Sequence, residues 1–253
     1  MKQISIKSAL MRIMAVLFVA MGSVSASAQY YMNVVLRNGE KTMYPVMDID
    51  SVFISGKEPA HQYVDLGLSV KWATCNMGAD SPEEYGNFYS WGETWTKDEY
   101  TWFTYGFGNG DNRQRQLSKY NLNRSYGPVD NMTTLDFSDD VAIVKWGAPW
   151  HVPSKENMEE LRTKCKWTWT TLNGVKGYRV TSKVKGYTDR SIFLPAAGLM
   201  QMDFLANDGY RGVYWANSIT KDSFSATVLV IEEMRPYESS ASRELGCCIR
   251  PVF

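Results

Sequence analysis

The chain has 253 residues, in which 27 Lys and Arg balance 27 Asp and Glu, and only two histidines. An even balance gives no sign of the basic surface that a nucleic-acid partner requires, and a chain 44% hydrophobic can fill one good-sized core. No repeat at the period of a solenoid or propeller is present, and no low-complexity tract.

Residues 1–28 read as an export signal. Lys2, Lys7 and Arg12 form a basic start, Ile13–Met21 is an apolar run, and Ala26-Ser27-Ala28 is a small-residue cleavage site. The run is shorter than the roughly 20 residues that a membrane span needs, and no second apolar run follows. The expectation is a secreted or extracytoplasmic protein, including display at the cell surface, without an integral membrane span.

Residues 29–56 read as a small β leader segment. Met32–Leu36 is strand-like, Asn38-Gly39 suits a type I′ hairpin turn, and Thr42-Met43-Tyr44 returns antiparallel. Asp48–Ile54 offers a third short strand. Two strands alone are marginal, so partner docking through this segment is one expectation and packing on the main domain the other. Residues 57–62 form a linker.

The main domain, residues 63–253, opens on Tyr63–Ala73. There Leu66, Leu68, Val70 and Trp72 alternate with polar residues as one strand would. Phe88–Trp102 is rich in aromatics, which are more often core than a stacking platform. Gly106–Asn131 is polar and reads as a long surface loop. Ser138 is placed to cap a short helix ending at Lys145.

Trp146–Trp169 is the unit around which this domain is organised. Ser154 caps a helix on which Met158, Leu161 and Cys165 share a stripe, and Glu160 and Lys164 pair at i, i+4. Trp167 and Trp169 then switch to strand period. Asn173-Gly174 is a hairpin turn before Tyr178–Ser182. Ser191–Leu194 is a buried strand, Leu199–Gly212 a loop, and Val213–Ala216, Ala226–Ile231 and Leu245–Val252 the last strands. Many short strands with one or two short helices argue an α+β fold.

Several of these residues carry a resemblance. Tyr63–Leu68, Lys71–Asn76, Pro82–Gly86, Trp91–Thr94, Trp150–Ser154, Cys165–Thr171, Phe193–Gly198, Tyr214-Trp215 and Ile249–Val252 resemble, in order, the Fibrobacter succinogenes major paralogous domain. Asp48–Phe53 resembles a leader found ahead of that domain in exported bacterial proteins. The chain departs from the pattern at His151-Val152, where the family has Arg and Met, and at Ala216-Asn217, which replace a serine pair. The resemblance implies a C-type-lectin-like α+β domain of short strands and long loops. Such folds host sugar binders, protein binders and the formylglycine-generating enzymes, so fold does not settle function.

Chemistry must come from sites, and candidates are few. No motif for phosphate binding, zinc proteolysis, EF-hand calcium or serine hydrolysis is present. The resemblance to calcium-dependent lectins reaches only Trp215-Ala216-Asn217, so no metal and no cofactor is expected. An oxidase of the formylglycine-generating type uses a cysteine pair near its C-terminus. Here Cys247 and Cys248 are adjacent and would point to opposite faces of one strand. A bridge between Cys75 and Cys165 is expected in an oxidising compartment, with two free thiols as the alternative. His151 is expected to be structural.

The expected activity is recognition of an extracellular glycan or protein without catalysis, with a structural or assembly role as the alternative and an oxidase below both. The resemblance points to the long loop for ligand contact, and its residues have the chemistry for recognition. Tyr210, Tyr214 and Trp215 offer flat faces, and Asp203, Asn207, Asp208 and Asn217 offer hydrogen-bonding groups. Arg113 and Arg115 are placed to border them.

Overall fold

A computed structural model describes residues 31–35, 41–45, 61–109 and 115–253. The export signal, Asp48–Phe53, the linker through Ala60 and Arg113 lie outside the described residues. The chain divides into two units, Met1–Phe53 and Ile54–Phe253. In the first, β1 (Tyr31–Val35) and β2 (Lys41–Pro45) pair antiparallel, with Val35 opposite Lys41.

The second unit is built of small antiparallel sheets and two short α-helices, an α+β fold that is mostly β. β3 (Tyr63–Val64) and β4 (Trp72–Ala73) pair with each other. The expected single strand Tyr63–Ala73 is therefore a hairpin. Gly67, at φ 70°, turns the chain while its N–H donates to Asp65 Oδ1, so the period-2 pattern belongs to a fold-back. Gly106–Asn131 is likewise more than a surface loop. It contains β5 (Gly108–Asn109) and β6 (Gln116–Leu117), and Leu117, Tyr120 and Asn121 are buried.

Helix α1 (Val141–Trp146) is capped by Asp140 rather than Ser138. Asp140 accepts from the N–H groups of Ala142 and Ile143, and its second oxygen accepts from Val152 N–H at 2.8 Å. One carboxylate thus caps the helix and fixes the segment leading to α2 (Lys155–Lys164). Ser154 caps α2 in a reciprocal box with Asn157, and Met158 and Leu161 are its buried face.

β7 (Cys165–Leu172) follows without a break. It pairs with β8 (Val175–Ser182) across Asn173-Gly174, both at positive φ, as a type I′ turn demands. β9 (Ser191–Pro195) completes that sheet. β10 (Leu199–Gln201) and β11 (Phe204–Ala206) form a tight hairpin where the sequence suggested a loop. β12 (Arg211–Ile219), β13 (Ser225–Glu232) and β14 (Tyr237–Ser242) form the last sheet.

Three hydrophobic clusters share this frame, a small one of Trp102, Tyr105 and Leu117 and two larger ones. One gathers Trp91, Trp150, Trp215, Cys247 and Ile249, the other Trp72, Leu161, Cys165, Tyr214 and Cys248. Neighbouring residues of β12 and of the C-terminal segment feed opposite clusters. The expected strand Leu245–Val252 is instead a spine of single bridges, Gly246 to Met200, Cys247 to Tyr89, Cys248 to Tyr214, and Val252 to both Trp72 and His151. It touches too many segments to run along any one of them.

Candidate functional site

The residues expected to bind a ligand do not all meet. Tyr214 and Trp215 are each only 1% exposed. The Tyr214 hydroxyl donates to Pro195 O at 2.6 Å and Trp215 Nε1 donates to Tyr89 O at 2.7 Å. Burial pushes the Tyr214 phenol well up. Both rings are core, and neither belongs to a ligand surface. They lie on a strand with sheet or core on either side, so neither parity of side-chain direction leads to solvent.

Asn217 is half-buried, its backbone N–H donating to Pro153 O and its carbonyl accepting from Leu135 N–H. It lies six positions along β12 from Arg211, on the order of 20 Å from the turn before that strand. Asn217 is therefore not part of one site with Tyr210. Arg115 is half-buried with its guanidinium 5.3 Å over the ring of buried Trp102.

Asn207, Asp208 and Tyr210 do come together, in the turn that enters β12. Asn207 adopts φ 63° and its carbonyl accepts from Tyr210 N–H and Arg211 N–H. Gly209 N–H donates to Ala196 O at 2.7 Å, which pins the turn to the end of β9. Tyr210 is 75% exposed, and the Lys176 ammonium lies 5.4 Å over its ring. Asp208 is exposed, and its charge, after burial, helps push the half-buried Tyr85 phenol up.

Asp203 lies apart from that turn, in the two-residue turn between β10 and β11. That hairpin is tied to the aromatic segment at residues 88–102. Tyr100 N–H donates to Met202 O at 2.7 Å and Met202 N–H returns to Tyr100 O at 3.1 Å. On the two segments joined by this bridge, Trp95, Phe103, Met202 and Phe204 are exposed at 49, 66, 49 and 45%, and these four are termed the ledge. Tyr89, Trp91, Tyr100 and Trp102 of the same segment are buried, as the core reading expected. Phe103, Met202 and Phe204 were missed by sequence reasoning. Their signal was an apolar residue beside a tight-turn pair, and it becomes visible only once 199–206 is a hairpin.

The ledge is braced from below. Buried Glu93 takes Lys97 Nζ at 2.9 Å and the Gly106 N–H at 2.6 Å, and Lys97 also donates to Thr104 O. Burial pushes the Lys97 ammonium down and the Glu93 charge partly restores it. The Tyr100 hydroxyl donates to Phe88 O at 2.7 Å. A loop so fully bonded loses little backbone freedom on binding.

The four cysteines are free thiols, so the structure does not join Cys75 to Cys165. Cys165 packs at the α2–β7 junction among Leu66, Trp72 and Leu161. Half-exposed Cys75 stands outside both larger clusters, with the Thr74 hydroxyl 3.5 Å from its sulfur. Cys247 and Cys248 are fully buried in different clusters, and burial pushes the Cys248 thiol up to about 12. A thiol held protonated at neutral pH is a poor nucleophile and a poor metal ligand.

His151 is half-buried with Nδ1 2.9 Å from Pro149 O, and its backbone pairs with Val252. His61 stacks on Trp146 with ring centroids 3.7 Å apart, and burial lowers its pKa. Among the described residues no group of three or more His, Cys, Asp or Glu is placed to hold a metal ion. No helix among them is long and apolar enough to cross a membrane.

No family model, no curated protein and no solved structure matches the chain.

Proposed function

We propose that the second unit is an extracellular recognition module, related to the Fibrobacter succinogenes major paralogous domain and C-type-lectin-like in fold. It binds a glycan or protein ligand without transforming it. The observation that carries this reading is the contrast between buried polar side chains that bond within the fold and two exposed turns. Tyr214, Trp215, Arg243 and Arg250 spend their polar atoms on backbone carbonyls and side chains inside the fold. Tyr210 and Phe103 stand more than half exposed, and Met202 49% exposed, on turns whose backbones are pinned. Binding residues carried on rigidly held loops are the ordinary design of a recognition surface.

An exported location follows from the export-signal reading of residues 1–28, and extracellular glycans and surface proteins are then the available ligands. The test is a screen of immobilised glycans and surface proteins against the full chain, repeated with Tyr210→Ala and Asp208→Ala. Ligands that the wild type retains and the folded variants lose support the reading. A chain that retains none overturns it.

The β1–β2 ribbon favours a second reading, an assembly component. A two-stranded ribbon is marginal alone, and among the described residues β1 and β2 pair only with each other, which leaves their outer edges to a partner strand. Deleting residues 30–54 separates the two: a recognition module keeps its ligand, whereas an assembly component loses its partner.

A further inference from the structure

We propose that the ledge of Trp95, Phe103, Met202 and Phe204 takes a positively charged, apolar segment of a partner protein. This rests on the recognition reading and narrows it to one surface and one class of ligand. Four large apolar side chains at 45 to 66% exposure lie on the two segments that one backbone bridge joins. Contiguous patches on the order of a few hundred Å² on otherwise polar proteins are commonly binding sites.

The rim decides the partner. Asp98 and Glu99 precede Tyr100, and Asp203 follows Met202, so the bridge brings three exposed carboxylates to the edge of the ledge. None of the three carboxylates makes a salt bridge or side-chain hydrogen bond among the described residues. The basic groups placed against this loop are already occupied. Lys97 is neutralised by Glu93, and Arg115 lies over Trp102.

Two hydroxyls of the loop are occupied as well. Those of Thr101 and Thr104 lie 3.3 Å apart, and Thr104 Oγ1 donates to Glu99 O at 2.6 Å. The three carboxylates are thus the charged side chains left free on the ledge. A Lys- or Arg-bearing apolar segment matches both the patch and its rim. β11 pairs only with β10 among the described residues, so its outer edge also offers backbone groups to an extended segment.

The test is fluorescence anisotropy on the full chain. The probes are a labelled peptide of alternating Lys and Leu and, as control, one of alternating Glu and Leu. The Lys-Leu peptide binds and the Glu-Leu peptide does not. Raising salt from about 0.05 to about 0.5 M weakens binding several-fold. The triple variant Asp98→Asn, Glu99→Gln, Asp203→Asn loses about tenfold at low salt through its lost charge complementarity. The pair Phe103→Ser, Met202→Ser weakens binding at both salts, and Asp189→Asn, an exposed acid outside the ledge, changes nothing. Circular dichroism confirms that each variant is folded. Equal binding of both peptides, or Lys-Leu binding untouched by the ledge variants, overturns the proposal. A neutral oligosaccharide whose binding the Phe103 and Met202 substitutions abolish overturns the partner class and leaves recognition standing.

Discussion

Tyr100 and Met202, more than a hundred positions apart, exchange both backbone hydrogen bonds, at 2.7 and 3.1 Å. This one bridge joins the aromatic loop to the β10–β11 hairpin and sets the ledge. Gly246 lies directly beneath it. A Cβ there would stand 2.6 Å from Cε1 of the Tyr100 ring and 2.8 Å from Met200 Cβ.

Gly246→Ala therefore forces the Tyr100 ring away from Phe88 O and loosens the bridge. The expected cost is about 1–3 kcal/mol of stability, read as a lower midpoint in urea unfolding, together with weaker binding by the ledge. An unchanged midpoint would show that the ring has room to yield.

Acid should destabilise the fold. The Ser138 N–H holds the Asp136 carboxyl below its ordinary value, and the Ser138 hydroxyl adds to this. At Asp222 burial pushes upward, but bonds from Ser225, Thr220 and Phe224 outweigh it and the net shift is again down. A carboxyl lowered on folding contributes stability that is complete above its unfolded pKa and is lost as pH falls through the folded value. The midpoint of thermal unfolding should thus be flat from pH 7 to about pH 5 and fall below about pH 4. Asp222→Asn should make that fall shallower, and an acid slope identical to wild type would contradict the assignment.

The thiols give a third test. Alkylation of the native chain at neutral pH without reductant should modify Cys75 fastest, since Cys165, Cys247 and Cys248 are buried and burial raises all three thiols, Cys165 to about 11. Unfolding in denaturant should release all four. Non-reducing peptide mapping that finds Cys75 linked to Cys165 would contradict the free-thiol arrangement.

The sequence made the organising unit legible and left the ligand surface obscure, for reasons visible in particular residues. Ser154, Asn173 and Gly174 carry their structure locally, through a cap and a turn, so α2 and the β7–β8 hairpin could be read from a few neighbours. The alternation in Tyr63–Ala73 is equally regular, yet Gly67 folds it back on itself, because the pattern records burial and not pairing. β14 went unseen because Glu238, Ser239 and Ser240 are exposed on an edge strand that β13 stabilises. Tyr214 and Trp215 were misplaced because both faces of β12 are covered, a fact of packing and not of pattern. The ledge needed the Tyr100–Met202 pairing, a long-range contact with no local trace.

Hydrogen–deuterium exchange of the full chain, with and without a ligand returned by the binding screen, tests the recognition surface most directly. Binding should slow exchange in residues 94–105 and 199–210 and leave α2 and the β7–β8 turn unchanged. Protection confined to α2, β7 or β8, with those two segments unaltered, would place recognition elsewhere and contradict the proposed site.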